Sequence, residues 1–191
     1  MTVENRVGAK VRQLRETRGM SLAQLAERSL CSAEILTQIE AGAMVPSLTP
    51  LMNISRALGI RLGTLIDDEP LDGPVVVKAK QSPGVIRFSG KDPSATQSNL
   101  DFYTLGAGKK DRHMEPFLID VQPRKDREAP LSSHEGEEFI YVFSGQIEIN
   151  YGQMTYHLEA GDSIYYDSIV PHDLHAKGAT AHILAVVYAP F

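Results

Sequence analysis

Apolar positions in the first third of the chain repeat at helical spacing. Val7, Val11 and Leu14 stand at i, i+4 and i+7, giving a first helix one apolar face, and Gly19 closes it. Ser21, whose hydroxyl can accept from an unpaired first-turn amide, opens a second helix carrying Leu22, Leu25 and Ala26. Ser32 opens a third, with Ile35, Leu36 and Ile39 as its stripe and Gly42 at its end. Pro46-Ser47 introduces a fourth through Leu48, Leu51, Ile54, Ser55 and Leu58, closed by Gly59, and a short fifth holds Leu62, Leu65 and Ile66. Five short helices in roughly 60 residues bury their stripes only as one compact globule.

Beyond Ile66 the pattern changes. Residues 67–74 are acidic, contain Pro and Gly, and show no period, which predicts a linker. Then come β-rich runs at 75–77, 85–88, 102–105, 117–121, 139–149, 154–158, 163–166 and 183–188, separated by turn residues. Many short antiparallel strands in about 110 residues predict a sandwich or barrel. The expected fold class is therefore α + β in two domains. A five-helix domain spans 1–66, a linker and first strand span 67–83, and an all-β domain spans 84–191.

Composition changes this picture little. At 42% hydrophobic and 23% charged, the 191 residues read as a soluble globular chain. No apolar run reaches the roughly 18–20 residues of a membrane helix, and the first residues lack a secretory pattern. The single cysteine, Cys31, forms no internal disulfide, and the cytoplasm is the expected compartment. Charge is divided unevenly. Residues 1–66 hold eight basic against five acidic side chains, a net of +3, and the rest of the chain carries −8. Only the front portion suits a polyanion.

Residues 5–66 resemble the XRE-type helix-turn-helix domains of the large repressor family that includes the phage repressors. The resemblance rests on 11–15, on Ser21 to Ala26, on Ser32 to Gly42, and on Pro46-Ser47-Leu48 through Ala57-Leu58-Gly59. It implies that the third helix enters the major groove of double-stranded operator DNA. By position Gln38 is the implied base reader, with Ala33, Glu34 and Thr37 beside it. Ser21 and Ser32 stand where hydroxyls and helix N-termini contact phosphate, or where they simply cap. No Lys or Arg lies between Ser29 and Val45, and Ala41 occupies a position where relatives often carry Arg. Glu34 suits the reading face only by accepting from a cytosine amino group. The family pattern pairs Glu40 with Arg15.

Residues 132–176 resemble both halves of the cupin signature. The first half is Ser132-Ser133-His134-Glu135-Gly136-Glu137-Glu138 followed by Gly145, and the second is Gly161-Asp162 followed by Pro171-His172. Cupins are double-sheet jelly-roll barrels. His134 and Glu138 are four apart, so on one strand they share a face, and His172 arrives from another strand. Two His and one carboxylate form a facial triad suited to Fe(II), and the same donors suit Zn, Ni or Mn. Ser132 replaces the motif's usual first histidine and Ala176 its closing Asn. Without a metal, the same side chains would line a pocket for an organic ligand, with Ser132 and Tyr103 as further lining. His175 has odd parity relative to His172 and is expected to face away. His113, His157 and His182 fall in no constellation, and Gly145 and Gly161 mark turns.

The two resemblances together imply a regulator: a homodimer or higher homo-oligomer on DNA, responding to a small-molecule effector. The alternative is an enzyme. Hydroxypropylphosphonate epoxidases, mononuclear non-haem iron enzymes, join a similar helical domain to a cupin with a His-x3-Glu…His triad. Residues 99–103 resemble their pocket strand. The chain departs from that pattern at Gly19, Leu105 and Leu131, where the enzymes carry substrate-handling Lys, Tyr and Asn.

Overall fold

The computed structural model describes residues 3–44, 46–66, 73–78, 100–109, 112–124 and 131–190. The five helices form as their stripes predict: α1 (Val3–Thr17), α2 (Leu22–Ser29), α3 (Ala33–Glu40), α4 (Leu48–Ala57) and α5 (Leu62–Ile66). Their buried side chains include Val7, Val11, Leu25, Leu36, Ile39, Leu51, Ile54, Leu58 and Leu65. The caps explain the boundaries. Ser21 accepts from Gln24 N at 3.2 Å while the Gln24 side chain accepts from Ser21 N at 2.8 Å, a reciprocal box that fixes the start of α2. Ser32 accepts from Ile35 N at 3.2 Å and starts α3.

Between α2 and α3 the chain turns through Leu30, which adopts a left-handed φ of 56° with its side chain in solvent. Helix α1 meets α3 without an intervening side chain: a Cβ on Gly8 would lie 1.9 Å from the Ile39 carbonyl oxygen. Arg15 then grips Glu40 with two bonds, Nε to Oε1 at 2.6 Å and Nη2 to Oε2 at 2.8 Å, as the family pattern implies.

The second half is all-β: β1 (Leu100–Thr104), β2 (Met114–Val121), β3 (Glu137–Ser144), β4 (Gln146–Tyr151), β5 (Met154–Glu159), β6 (Ser163–Asp167), β7 (His172–Ala176) and β8 (Ala181–Tyr188). They build two antiparallel sheets, β1-β2-β8-β3-β6 and β5-β4-β7. Phe102, Phe117, Ile119, Val121, Ile140, Val142, Ile183 and Ala185 are buried on one sheet, and Ile147, Ile149, Leu158 and Ala176 on the other.

Two expectations change, and others fall outside the described residues. Val75 and Val77 lie in described chain that forms no strand, so the expected first strand is absent from 73–78. The expected strand at 85–88, and most of the 67–83 linker, lie outside the described residues. The 139–149 run is two strands, because Gly145, at a φ of 82° and packed against Ala181, turns the chain back on itself.

Among the described residues, polar contacts join the two domains. Arg56, in the last turn of α4, bonds Glu135 at 2.5 Å. Glu115 on β2 accepts the Gly63 amide of α5 at 3.2 Å and, through its other oxygen, Nε of Arg112 at 2.7 Å.

Candidate metal centre

Three separate pieces of backbone deliver the site. His134 precedes β3, its amide donating to Ser168 O at 3.0 Å, while Ser168 N donates to Gly136 O at 2.9 Å. Glu138 is the second residue of β3 and pairs directly with Tyr166 of β6. His172 begins β7, locked to Ser132 by backbone bonds of 2.7 and 2.9 Å. All three side chains are buried among β residues.

Their geometry suits a cation. His134 Nε2 lies 2.8 Å from Glu138 Oε1, and His172 Nε2 lies 3.5 Å from the same oxygen. One ligand atom from each of the three residues fits within a 4.8 Å span. The outer ring nitrogens are engaged, His172 Nδ1 with Val170 O at 2.8 Å and His134 Nδ1 with Glu135 O at 3.3 Å. A carbonyl only accepts, so each bond places the proton on Nδ1 and leaves a lone pair on Nε2, the usual arrangement around a histidine-bound metal. With a proton on Nε2 the ring can donate to Glu138; without it, the nitrogen and carboxylate lone pairs would together be open to a metal ion. The set suits divalent Fe, Zn, Ni or Mn, and a three-ligand metal keeps coordination positions open for water or a small molecule.

Neighbours orient the carboxylate. Tyr166 donates its hydroxyl to Glu138 Oε2 at 2.7 Å, and Ser168 donates to Oε1 at 3.3 Å. Burial pushes the Glu138 carboxyl up, but the bonds and charges of His134 and His172 outweigh it and hold the group well below the usual carboxylate range. Burial and the adjacent Glu138 charge raise the Tyr166 phenol, which stays a neutral donor. His172 is raised: desolvation opposes this, and the bond to Glu138 prevails.

Other expected residues divide. Ser132 stands directly opposite His172 in its bridge and is half-buried beside the triad. Tyr103 does not reach the cup. On β1, Phe102 and Thr104 are the buried pair, so Tyr103 points to the opposite face, where its hydroxyl bonds Asp120 at 3.1 Å. His175 faces away from His172, as parity requires. His157, expected in no constellation, joins one: it and His175 flank Glu148 at 3.2 and 3.5 Å in one row across β5, β4 and β7. His182 bonds Asp120 at 2.7 Å. Sequence does not single out Tyr166, Ser168, Arg112 or Glu115; strand register places Tyr166 and Glu115, and the chain just outside those strands brings Ser168 and Arg112 to them.

In the helical domain, Ala33, Glu34 and Thr37 are exposed along α3, and Gln38 is half-exposed beside them. Thr37 returns its hydroxyl to Ala33 O at 2.7 Å. Ser21 and Ser32 act as caps. No described helix is long and apolar enough to cross a membrane.

Fold and site together define a helix-turn-helix domain joined to a cupin with a 2-His-1-carboxylate centre. The helix-turn-helix family model matches residues 11–65, and the cupin domain model matches residues 117–188. The chain is homologous both to transcriptional regulators and to an epoxidase. The HTH-type transcriptional regulator PuuR of Escherichia coli (strain K12) is 23% identical over 183 residues, spanning 95% of this chain and 92% of its own. The (S)-2-hydroxypropylphosphonic acid epoxidase of Streptomyces wedmorensis is 27% identical over 152 residues, 73% of each chain. An HTH_3 family transcriptional regulator from Vibrio cholerae shares the fold, with a TM-score of 0.68 at 22% identity over 98% of this chain and 97% of its own.

Proposed function

We propose that the protein is a sequence-specific DNA-binding transcriptional regulator whose cupin domain senses a small molecule with a divalent metal at His134, Glu138 and His172. The observation that carries this reading is the free edge of α3. Ala33, Glu34, Thr37 and Gln38 line one solvent-facing edge of a helix held rigidly at both ends, by the Ser32 cap and by Arg15 on Glu40. Gln38 reads a base edge with its amide, and Ser21 and Ser32 combine capping with phosphate contact. The likeness to PuuR over nearly the whole of both chains supports joining these parts in one regulator.

The working unit is a cytoplasmic homodimer whose third helices enter successive major grooves about 34 Å apart, or a multiple of that. A small-molecule effector entering the cup shifts the balance of dimer geometries and so operator affinity. The helical domain spans 1–66, the linker 67–83 and the cupin 84–191. Selection from random duplex DNA at two salt concentrations tests the reading. A palindromic motif, weakened by salt and relaxed at one position per half-site by about 1–3 kcal/mol in Gln38→Ala, is the expected result. No enrichment at low salt, with or without divalent metal, overturns it.

A second reading rests on the triad itself. Its three-ligand set, together with the likeness to the epoxidase, suits a non-haem iron oxygenase. Gly19, Leu105 and Leu131 stand where that enzyme's substrate-handling residues are implied, so its phosphonate substrate is disfavoured. Oxygen uptake by the Fe(II)-loaded protein distinguishes the two.

A further inference from the structure

Among the described residues, one contact between the helical domain and the cupin lies directly beside the His134–Glu138–His172 cluster. Arg56 of α4 bonds Glu135, the residue next to His134. Another contact lies deeper. Glu138 of β3 pairs with Val187 of β8, and Val187 pairs in turn with Glu115 of β2. The three side chains therefore lie in one row on the inner face of the larger sheet. Two strand spacings put the Glu138 and Glu115 backbones about 10 Å apart. Glu115 is 2% exposed, and its two oxygens are used differently: one accepts from Arg112, the other from the Gly63 amide in the first turn of α5. The Arg112 guanidinium lies against Gly63 so closely that a Cβ there would be 2.8 Å from its Cζ and Nη2. A carboxylate in the sheet that carries Glu138 thus caps a helix of the helical domain.

We infer that the Glu115–Arg112 pair, seated under Gly63, is the relay through which occupancy of the His134–Glu138–His172 site acts on the helical domain. This deepens the regulator reading by naming the path of regulation. A metal held by His134, Glu138 and His172 would draw on the Glu138 carboxylate and so on the start of β3. The paired strands β3, β8 and β2 move as one ladder at that row, because packed sheets shift rather than deform. Glu115 moves with them and either tightens or releases its bond to α5. The buried pair is suited to this work: both groups are desolvated, so a small displacement changes their interaction more than it would at a surface. The Arg56–Glu135 bond, about one-third to one-half exposed on its two side chains, steadies the same edge from outside.

The test uses full-length protein, Zn(II) and Ni(II) as probes, and amide hydrogen exchange along Gly63 to Ile66. In the wild type, stoichiometric metal changes exchange in α5 by about fivefold or more, the lower end of ordinary allosteric coupling. In Glu115→Gln the metal still binds one per chain, but α5 no longer responds. Gly63→Ala, which displaces Arg112 from outside the sheet, behaves alike and serves if Glu115→Gln does not fold. A wild type that binds no metal, or whose α5 ignores a bound metal, overturns the relay. So does a response that survives in both variants. Operator affinity is measured separately, so absence of DNA binding sinks the regulator reading while leaving the exchange result to decide the relay.

Discussion

Arg15 and Glu40 come from different helices and meet in a two-pronged pair, 2.6 and 2.8 Å, while the same guanidinium also donates to Met20 O at 2.9 Å. One side chain thereby ties the end of α1 to the end of α3 and to the turn before α2. With the Arg15 and Glu40 side chains 13% and 8% exposed, removal of the cation strands a mostly buried carboxylate. Arg15→Ala is expected to destabilise the helical domain by about 3 kcal/mol, and the double variant with Glu40→Ala by less than the two single changes together. Urea unfolding of the four proteins measures the coupling; strict additivity would show the pair to be idle.

Leu30 holds a left-handed backbone at the helix-turn-helix corner with 79% of its surface exposed. A side chain is disfavoured there and nothing is gained by burying it. Leu30→Gly is expected to raise stability by about 0.5–1 kcal/mol, the steric relief being partly offset by extra freedom in the unfolded chain. A lower urea midpoint in the variant contradicts this account.

Metal binding separates ligands from their supports. His134→Ala and Glu138→Ala should each abolish stoichiometric metal uptake, read by elemental analysis after dialysis. Tyr166→Phe keeps the ligands but frees one Glu138 oxygen, so binding remains one per chain with affinity about 10–100-fold lower. Unchanged metal content in both ligand variants removes the assignment.

Acidity acts in opposite directions on the metal-free and metal-loaded protein. In the folded metal-free state His172 is raised above its ordinary value of about 6.5 by Glu138. The stability it contributes is complete below the ordinary value and disappears as pH rises through the raised one. Glu138, held low, loses its contribution only in acid, as pH falls through its depressed value. Metal needs unprotonated imidazoles, so its stabilisation grows with pH instead. Thermal melts from pH 6 to 9, with chelator or with Zn(II), should therefore slope in opposite senses. Parallel slopes argue against the pair.

The helices were legible because their signals are local: each stripe, cap and closing glycine falls within one element. The sheets were legible only in part. Gly145 reads as a turn, yet the 139–149 run looks continuous, since apolar residues continue on both sides of it. The valines at 75 and 77 suit a strand but form none, and β preference is realised only against a neighbour. His134, Glu138 and His172 could be grouped because strand parity and the cupin spacing agree on their face. Tyr103 failed because its face depends on the register of β1 against β2, which spacing does not reveal. The Glu148 row with His157 and His175 depends likewise on pairing between distant strands. Arg112 and Glu115 look like an ordinary neighbouring surface pair; they are buried because Gly63 arrives from 52 residues before Glu115.

Gly63 also bears on how such a protein is assembled from parts. The last helix of the helical unit borrows an acceptor from the β domain, and the bare Cα of Gly63 makes room for that domain's arginine. A helical unit transplanted onto another β domain would carry a glycine with no guanidinium to receive. The cupin left behind would keep an internal carboxylate with one bond broken. The junction is therefore a matched lock between modules: residues 63, 112 and 115 must be exchanged together or not at all.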